Sequence, residues 1–248
     1  MNNKINKILT FILPTFGSIV WIAVFILVLL QGWQMVNADG DLALHLNLGK
    51  YILKTGRIPL QDVFSHTMTS QSVTQHEWLS AVILSQIEKF FTLDGIILLF
   101  AIVVAAAFWI LFKHAHQKSH SIIIAFFVAL LAMIPSMVHW IARPHLLTFL
   151  MLAIWMLILD RLNHGRSKAW WALPILMLFW VNLHGGFVIG FITWITYGAG
   201  VVYDTLLLKS EKIEKEGFLS SFSKYYLLGG ISSFFVTLVN PSGFKLWG

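Results

Sequence analysis

Uninterrupted apolar runs constrain this chain more than any motif it carries. Seven can be marked, over residues 16–35, 95–112, 122–138, 146–159, 169–181, 187–208 and 226–239. A hydrocarbon layer of ~30 Å is crossed by about 20 helical residues, and shorter runs are accommodated where a bundle thins the bilayer or shields its ends. Lipid offers backbone N–H and C=O groups no partner, so such runs must close their hydrogen bonds internally, as helices. The expected fold is all-α: a polytopic transmembrane helix bundle of about seven spans, one domain over residues 1–248. Only 11% of the residues are charged and 58% are hydrophobic, where soluble domains carry about 25% charged. A soluble enzyme, a disulfide scaffold and a disordered tail are excluded. Cysteine is absent, which removes thiolate and disulfide chemistry.

The formal charge of +6 finds its explanation in topology. With the N-terminus in the cytoplasm, residues 1–15, 113–120, 160–168 and 209–224 lie inside and hold eleven of the 17 Lys and Arg; six lie outside. This bias follows the positive-inside rule and predicts a multi-pass protein of the cytoplasmic membrane. A nucleic-acid partner is not expected. Cleavage after Val36-Asn37-Ala38 would remove 38 residues, too long for a usual signal peptide, so the first run reads as an uncleaved anchor. On the inner side, His114, His116 and His120 form a short basic turn suited to water or lipid headgroups.

The chemistry gathers on the outer face. Residues 37–91 form the one long extramembrane stretch, predicted as a helix over Asp41–Thr55 ended by Gly56, an extended segment, and an amphipathic interfacial helix over 76–91. The first helix shows Leu42, His45, Leu46, Gly49 and Leu53 at helical spacing; the second shows Leu79, Val82, Ile83, Gln86, Ile87 and Phe90. Short polar turns follow, with His139, Arg143, Pro144 and His145, then Asn182, His184, Gly185 and Gly186, then Asn240. Six of the ten histidines face outward in this topology, which predicts a polar cavity opening there.

Each of these residues has a structural alternative. Asp39 and Asp41 suit a helix N-terminus, and Arg143 suits a snorkelling interface anchor as well as a phosphate ligand. Asn182 and His184 suit a helix end, with the two glycines making a tight turn. His76-Glu77 opens like a zinc-protease helix motif, but Ser80 stands where the second histidine is required, and that reading is rejected.

The ordered set is more specific than its members. Asp39-Gly40-Asp41 with His45, Gly56-Arg57-Ile58-Pro59, Asp62-Val63-Phe64-Ser65, His76-Glu77-Trp78-Leu79, Arg143-Pro144-His145, Asn182-Leu183-His184-Gly185-Gly186-Phe187 and Asn240-Pro241 follow the first span in this order. The chain thereby resembles the GT-C superfamily of integral-membrane glycosyltransferases, in the bacterial group that includes protein mannosyltransferases and aminoarabinose transferases. The resemblance implies transfer of a sugar from a polyprenyl-phosphate-linked donor to a glycan, lipid or protein acceptor on the noncytoplasmic face. It implies a catalytic acid in the first outer loop, by position Asp39 or Asp41. Leu42, Ala43 and Leu44 stand where relatives often place a tryptophan pair. Relatives commonly continue with further helices, so the chain is expected to correspond to their N-terminal part.

Such chemistry needs a carboxylate to take the proton of a sugar hydroxyl and a cation for the leaving phosphate, the place of Arg143. His45, His76, Glu77, His145, Asn182 and His184 are the expected substrate-binding groups, and membrane lipids the expected surroundings. A divalent metal on Asp39 or Asp41 remains open, with few oxygen ligands to hold it. The rival readings are a multi-pass transporter and a noncatalytic membrane assembly factor. The sequence shows no internal repeat, and almost no ionisable residue inside the apolar runs, against the transporter.

Overall fold

A computed structural model of the chain describes residues 15–38, 40–67, 70–164, 167–207 and 212–247. Asp39, Arg166 and residues 208–211 lie outside the described residues. The architecture is all-α, and extended pairing among the described residues is an isolated bridge between Gln61 and Ser72.

Helix α1 (Phe16–Gln31) starts where the Thr15 hydroxyl accepts the Ser18 N–H at 3.2 Å. Gly32, at φ 47°, breaks the first apolar run and leaves the short α2 (Trp33–Asn37). The outer loop then supplies α3 (Asp41–Thr55), ended at Gly56 as predicted. The chain continues through α4 (Trp78–Ser119), α5 (Ile122–Ser136), α6 (His145–Asn163), α7 (Ala172–Leu183), α8 (Phe187–Leu207) and α9 (Lys212–Thr237). Inside α4, Thr92 has φ 58°, ψ −166°, so an amphipathic helix over 78–91 and an apolar span meet at a break rather than forming one rod.

Among the described residues four helices are long and apolar enough to cross a membrane: Trp78–Ser119, Ile122–His139, His145–Asn163 and Phe187–Asp204. Phe16–Gln31 and Lys168–Leu183 are shorter apolar helices, and the seventh run covers the last part of α9 and the two residues after it. The chain is therefore a multi-span helical bundle, with four membrane-length helices where the sequence predicts about seven spans. The interruption at Gly32 is what shortens the first; the helix of the fifth runs to Leu183, just before the turn at His184-Gly185-Gly186.

Two cores hold the bundle. One joins α1, α3, α4 and the turn after α5 around Val28, Phe100, Trp140 and Leu146; the other joins α6 to α9 around Trp155, Trp180 and Phe187. Helix α3 lies on the short half of α4 because Gly49 lets it: a Cβ there would sit 2.1 Å from the Ala81 carbonyl oxygen. On α3 Leu42, Leu46 and Gly49 are buried as predicted, while Ile52 is buried and Leu53 exposed; on the short half of α4 Ser80, Ala81, Leu84 and Ser85 are buried, Val82 and Ile87 pack partly buried against the cores, and Phe90 is exposed. Small residues take the closest protein-facing positions, and Phe90 turns outward, as a membrane-surface helix allows. A Lys50 Nζ to Glu88 Oε2 contact of 3.0 Å crosses the same interface.

Because the chain has no cysteine, single cysteines report sidedness cleanly. Ser65 and Gln117 are both exposed and belong to opposite ends of α4's span. A cysteine at Ser65 should label with an impermeant thiol reagent added outside intact cells and one at Gln117 should not. The reverse pattern would invert the predicted topology.

Candidate functional site

Four segments remote in sequence meet at one end of the bundle, the outer one in the predicted topology. The first turn of α3 carries Asp41, and the next carries His45. The turn between α5 and α6 carries Arg143, held in place because Trp140 and Ala142 are fully buried and the Ala142 N–H donates to the Met35 carbonyl at 2.9 Å. This anchoring brings Arg143 Nη2 to 2.8 Å from Asp41 Oδ2. The two side chains are 40% and 57% exposed. At that exposure an ion pair contributes at most about 1 kcal/mol, so stability alone does not account for placing it here.

The second carboxylate is better enclosed. Glu77, immediately before α4, keeps 20% of its side-chain surface and is ringed by three imidazoles: His45 Nε2 at 3.5 Å, His76 Nε2 at 3.4 Å and His184 Nε2 at 3.5 Å. His76 is raised above its ordinary 6.5, first by its hydrogen bond to Glu77, against a smaller effect of burial. Burial pushes Glu77 up, but the His76 hydrogen bond and the surrounding histidines outweigh it and leave the carboxyl below its ordinary 4.5.

His184 behaves in the opposite way, and its hydrogen bonds say why. Its Nδ1 accepts the Gly186 N–H at 2.9 Å, so that nitrogen carries no proton and the ring N–H is at Nε2, aimed at Glu77. The Thr148 hydroxyl lies 2.8 Å from the same Nδ1 and accepts the Trp180 indole N–H at 3.0 Å, so its own proton points to the ring. Burial, foremost, pushes His184 down to about 4, and neighbouring His145 and His76 add to it against the pull of Glu77. The ring is neutral at pH 7, while His76, also beside Glu77, is shifted the opposite way. Gly186 is required here, since a Cβ would fall 2.7 Å from His184 Nδ1.

These groups titrate in separate windows. His76, raised, contributes stability that is whole below 6.5 and lost as pH rises through its folded value. His184, lowered to about 4, makes the folded state refuse a proton that the unfolded chain accepts, so stability is lost as pH falls from 6.5 to about 4. Glu77 adds to the acid limb below 4.5. Thermal unfolding followed from pH 4 to 8 should therefore peak near 6.5, and His184→Asn should flatten the limb between 6.5 and 4. An unchanged limb would remove His184 from this account.

Asp41, His45, Glu77, His139, Arg143, His145 and His184 line one cavity of about 320 Å³. His145 is oriented within it by a 2.7 Å hydrogen bond between its Nε2 and the His139 carbonyl, and its ring centroid lies 6.2 Å from that of His184. Of the residues the sequence singles out, Asn182 sits apart, buried beneath the floor. Its Oδ1 accepts the Trp78 indole N–H at 2.6 Å and the Asn240 amide at 3.1 Å, and the Ser80 hydroxyl donates to the neighbouring Leu183 carbonyl. These bonds lock the start of α4 to the end of α7. Asp62 is also local: its Oδ1 accepts the Phe64 and Ser65 N–H groups at 2.8 and 2.9 Å, and these backbone bonds, that to Ser65 first, hold its carboxyl below the usual range. Thr148 and Trp180, which set the His184 tautomer, carry no sequence signal; each is a lone polar group in an apolar helix.

Among the described residues no group of three or more His, Asp or Glu is arranged to hold a metal ion. No family model, curated protein or solved structure matches the chain.

Proposed function

We propose that the chain is a membrane glycosyltransferase that moves a sugar from a polyprenyl-phosphate donor to an acceptor hydroxyl at the outer face. The observation that carries the reading is the single cavity in which a guanidinium, two carboxylates and several imidazoles converge at the end of an apolar bundle. The ordered motifs that resemble GT-C enzymes supply most of its lining.

The Asp41–Arg143 pair gives the reaction a natural trigger. A donor phosphate competes for the guanidinium with the oxygen of Asp41, because arginine holds phosphate through two parallel bonds. Once displaced, the carboxylate is released from the guanidinium and free to meet the acceptor hydroxyl. It then takes the acceptor hydroxyl proton as the acceptor oxygen bonds to the anomeric carbon and the bond from that carbon to the phosphate oxygen breaks. The electron pair leaves with the phosphate, whose charge Arg143 holds. Glu77, held below its ordinary range beside His76, offers the cavity a second carboxylate to accept from a sugar hydroxyl.

The test is the affinity of the purified protein for a short-chain polyprenyl phosphate and for the matching polyprenol. The phosphate should add about 1.5–3 kcal/mol, the scale of hydrogen bonds to charged groups. Arg143→Lys should lose much of that difference although charge is kept, since an ammonium cannot form the two parallel bonds. Equal affinity of the wild type for both ligands removes the phosphate role.

A further inference from the structure

At the other end of the bundle, α4 and α6 enclose a cavity of about 580 Å³ that plays no part in the outer site. Lys113, Lys118 and Arg161 line it with a single carboxylate, Asp160. Lys118 Nζ lies 2.5 Å from Asp160 Oδ1, and the Tyr197 hydroxyl donates to that oxygen at 3.1 Å. The acid is thus neutralised by one base, and among the described residues no carboxylate pairs with Lys113 or Arg161. Lys113 Nζ rests 4.4 Å from the centroid of the Trp109 ring, which fixes the flexible amine beside the cavity.

A second cavity, of about 300 Å³, continues from the first between α4, α5 and α6 and shares Ile110 and His114 with it. Its walls are hydrocarbon and ring, with Phe108, Leu111, Phe149 and Leu152 among them. At the junction His114 Nδ1 is buried and has no hydrogen-bond partner among the described residues. Cations, then one unanswered polar atom, then an apolar slot follow one another in the order phosphate, ester and acyl chain.

We propose that these two cavities bind one anionic glycerophospholipid with two phosphodiester groups, its phosphates on Lys113 and Arg161 and an acyl chain in the slot between α4, α5 and α6. Two uncompensated cations match two phosphodiester charges, and a zwitterionic headgroup would bring its own ammonium against Lys113. His114 is in place to answer an ester oxygen. The lipid would fasten the inner ends of α4 and α6, the two helices whose outer ends carry Glu77 and His145. Basic pockets between spans recognise anionic headgroups on this physical basis.

The experiment is a lipid titration of the purified full chain in nonionic detergent, read as the bound fraction by native mass spectrometry. The probes are diphosphatidylglycerol, phosphatidylglycerol and phosphatidylethanolamine. The two-phosphate lipid should bind at least tenfold more tightly than phosphatidylethanolamine, with phosphatidylglycerol between them. The double variant Lys113→Gln with Arg161→Gln should lose that preference, and Lys113→Arg with Arg161→Lys should retain it. Ala153→Phe, which fills the apolar slot without touching the cations, should weaken binding of every lipid. Equal binding of the three lipids by the wild type overturns the proposal and leaves the bases as snorkelling anchors. Displacement of the lipid by millimolar inorganic phosphate also overturns it, by showing a site for a free anion.

Discussion

Asp41→Asn is expected to lower sugar transfer by on the order of 10²–10⁴, the range for loss of a general base, while the protein folds and still binds the lipid carrier. Asp41 is more than half exposed and its pair with Arg143 is a surface pair, so the substitution costs the fold at most about 1 kcal/mol. Asparagine keeps the shape and a hydrogen-bond acceptor and removes only the capacity to take a proton. The measurement is initial transfer rate with a short-chain donor, alongside thermal unfolding of the same preparation. Asp39→Asn belongs in the same series, because the GT-C resemblance assigns the acid to either position and Asp39 lies outside the described residues. Full activity in both variants would end the mechanism proposed for Asp41 and favour a transporter or an assembly factor. A fall in melting temperature that accounts for the lost activity would make the pair structural instead.

Asn182→Leu should act on stability instead. The side chain is 5% exposed, and its one oxygen serves both Trp78 and Asn240. Leucine leaves the Trp78 indole N–H without its acceptor, while the Asn240 amide keeps the Val181 carbonyl at 3.0 Å, so unfolding should be easier by about 1–3 kcal/mol. Asn182→Asp, which keeps the acceptor, separates the lock from the shape. Should Asn182→Leu abolish transfer with melting unchanged, the residue would return to the substrate-binding set where the sequence alone places it.

The contrast between these two aspartate and asparagine positions marks what the sequence makes legible. Apolar runs announce helices, because hydropathy is a local property, and the outer-face motifs are visible because polar residues are rare in such a chain. The enclosure of Glu77 is not local: His45 and His184 reach it from α3 and from the end of α7. Nor does spacing distinguish Asn182 beneath the cavity from His184 in it, two residues on, since the backbone turn between them decides which way each faces. Leu53 and Ile52 are equally apolar, and only the groove offered by Ala81 selects between them. Thr148 and Trp180 were hidden for the same reason, being ordinary single residues until their helices meet.

The break at Thr92 has a mechanical consequence. Glu77 stands 15 residues before it, at the end of a helical arm of roughly 22 Å at about 1.5 Å per residue, pinned there to the end of α7 by Trp78 and Ser80. A tilt of about 10° at the pivot would carry the carboxylate about 4 Å, enough to part it from His45 and His184 while His76 moves with it. The calibration of the site therefore resides in the brace along the arm, where Gly49 seats on Ala81 and Lys50 reaches Glu88, two turns or more from any reacting atom.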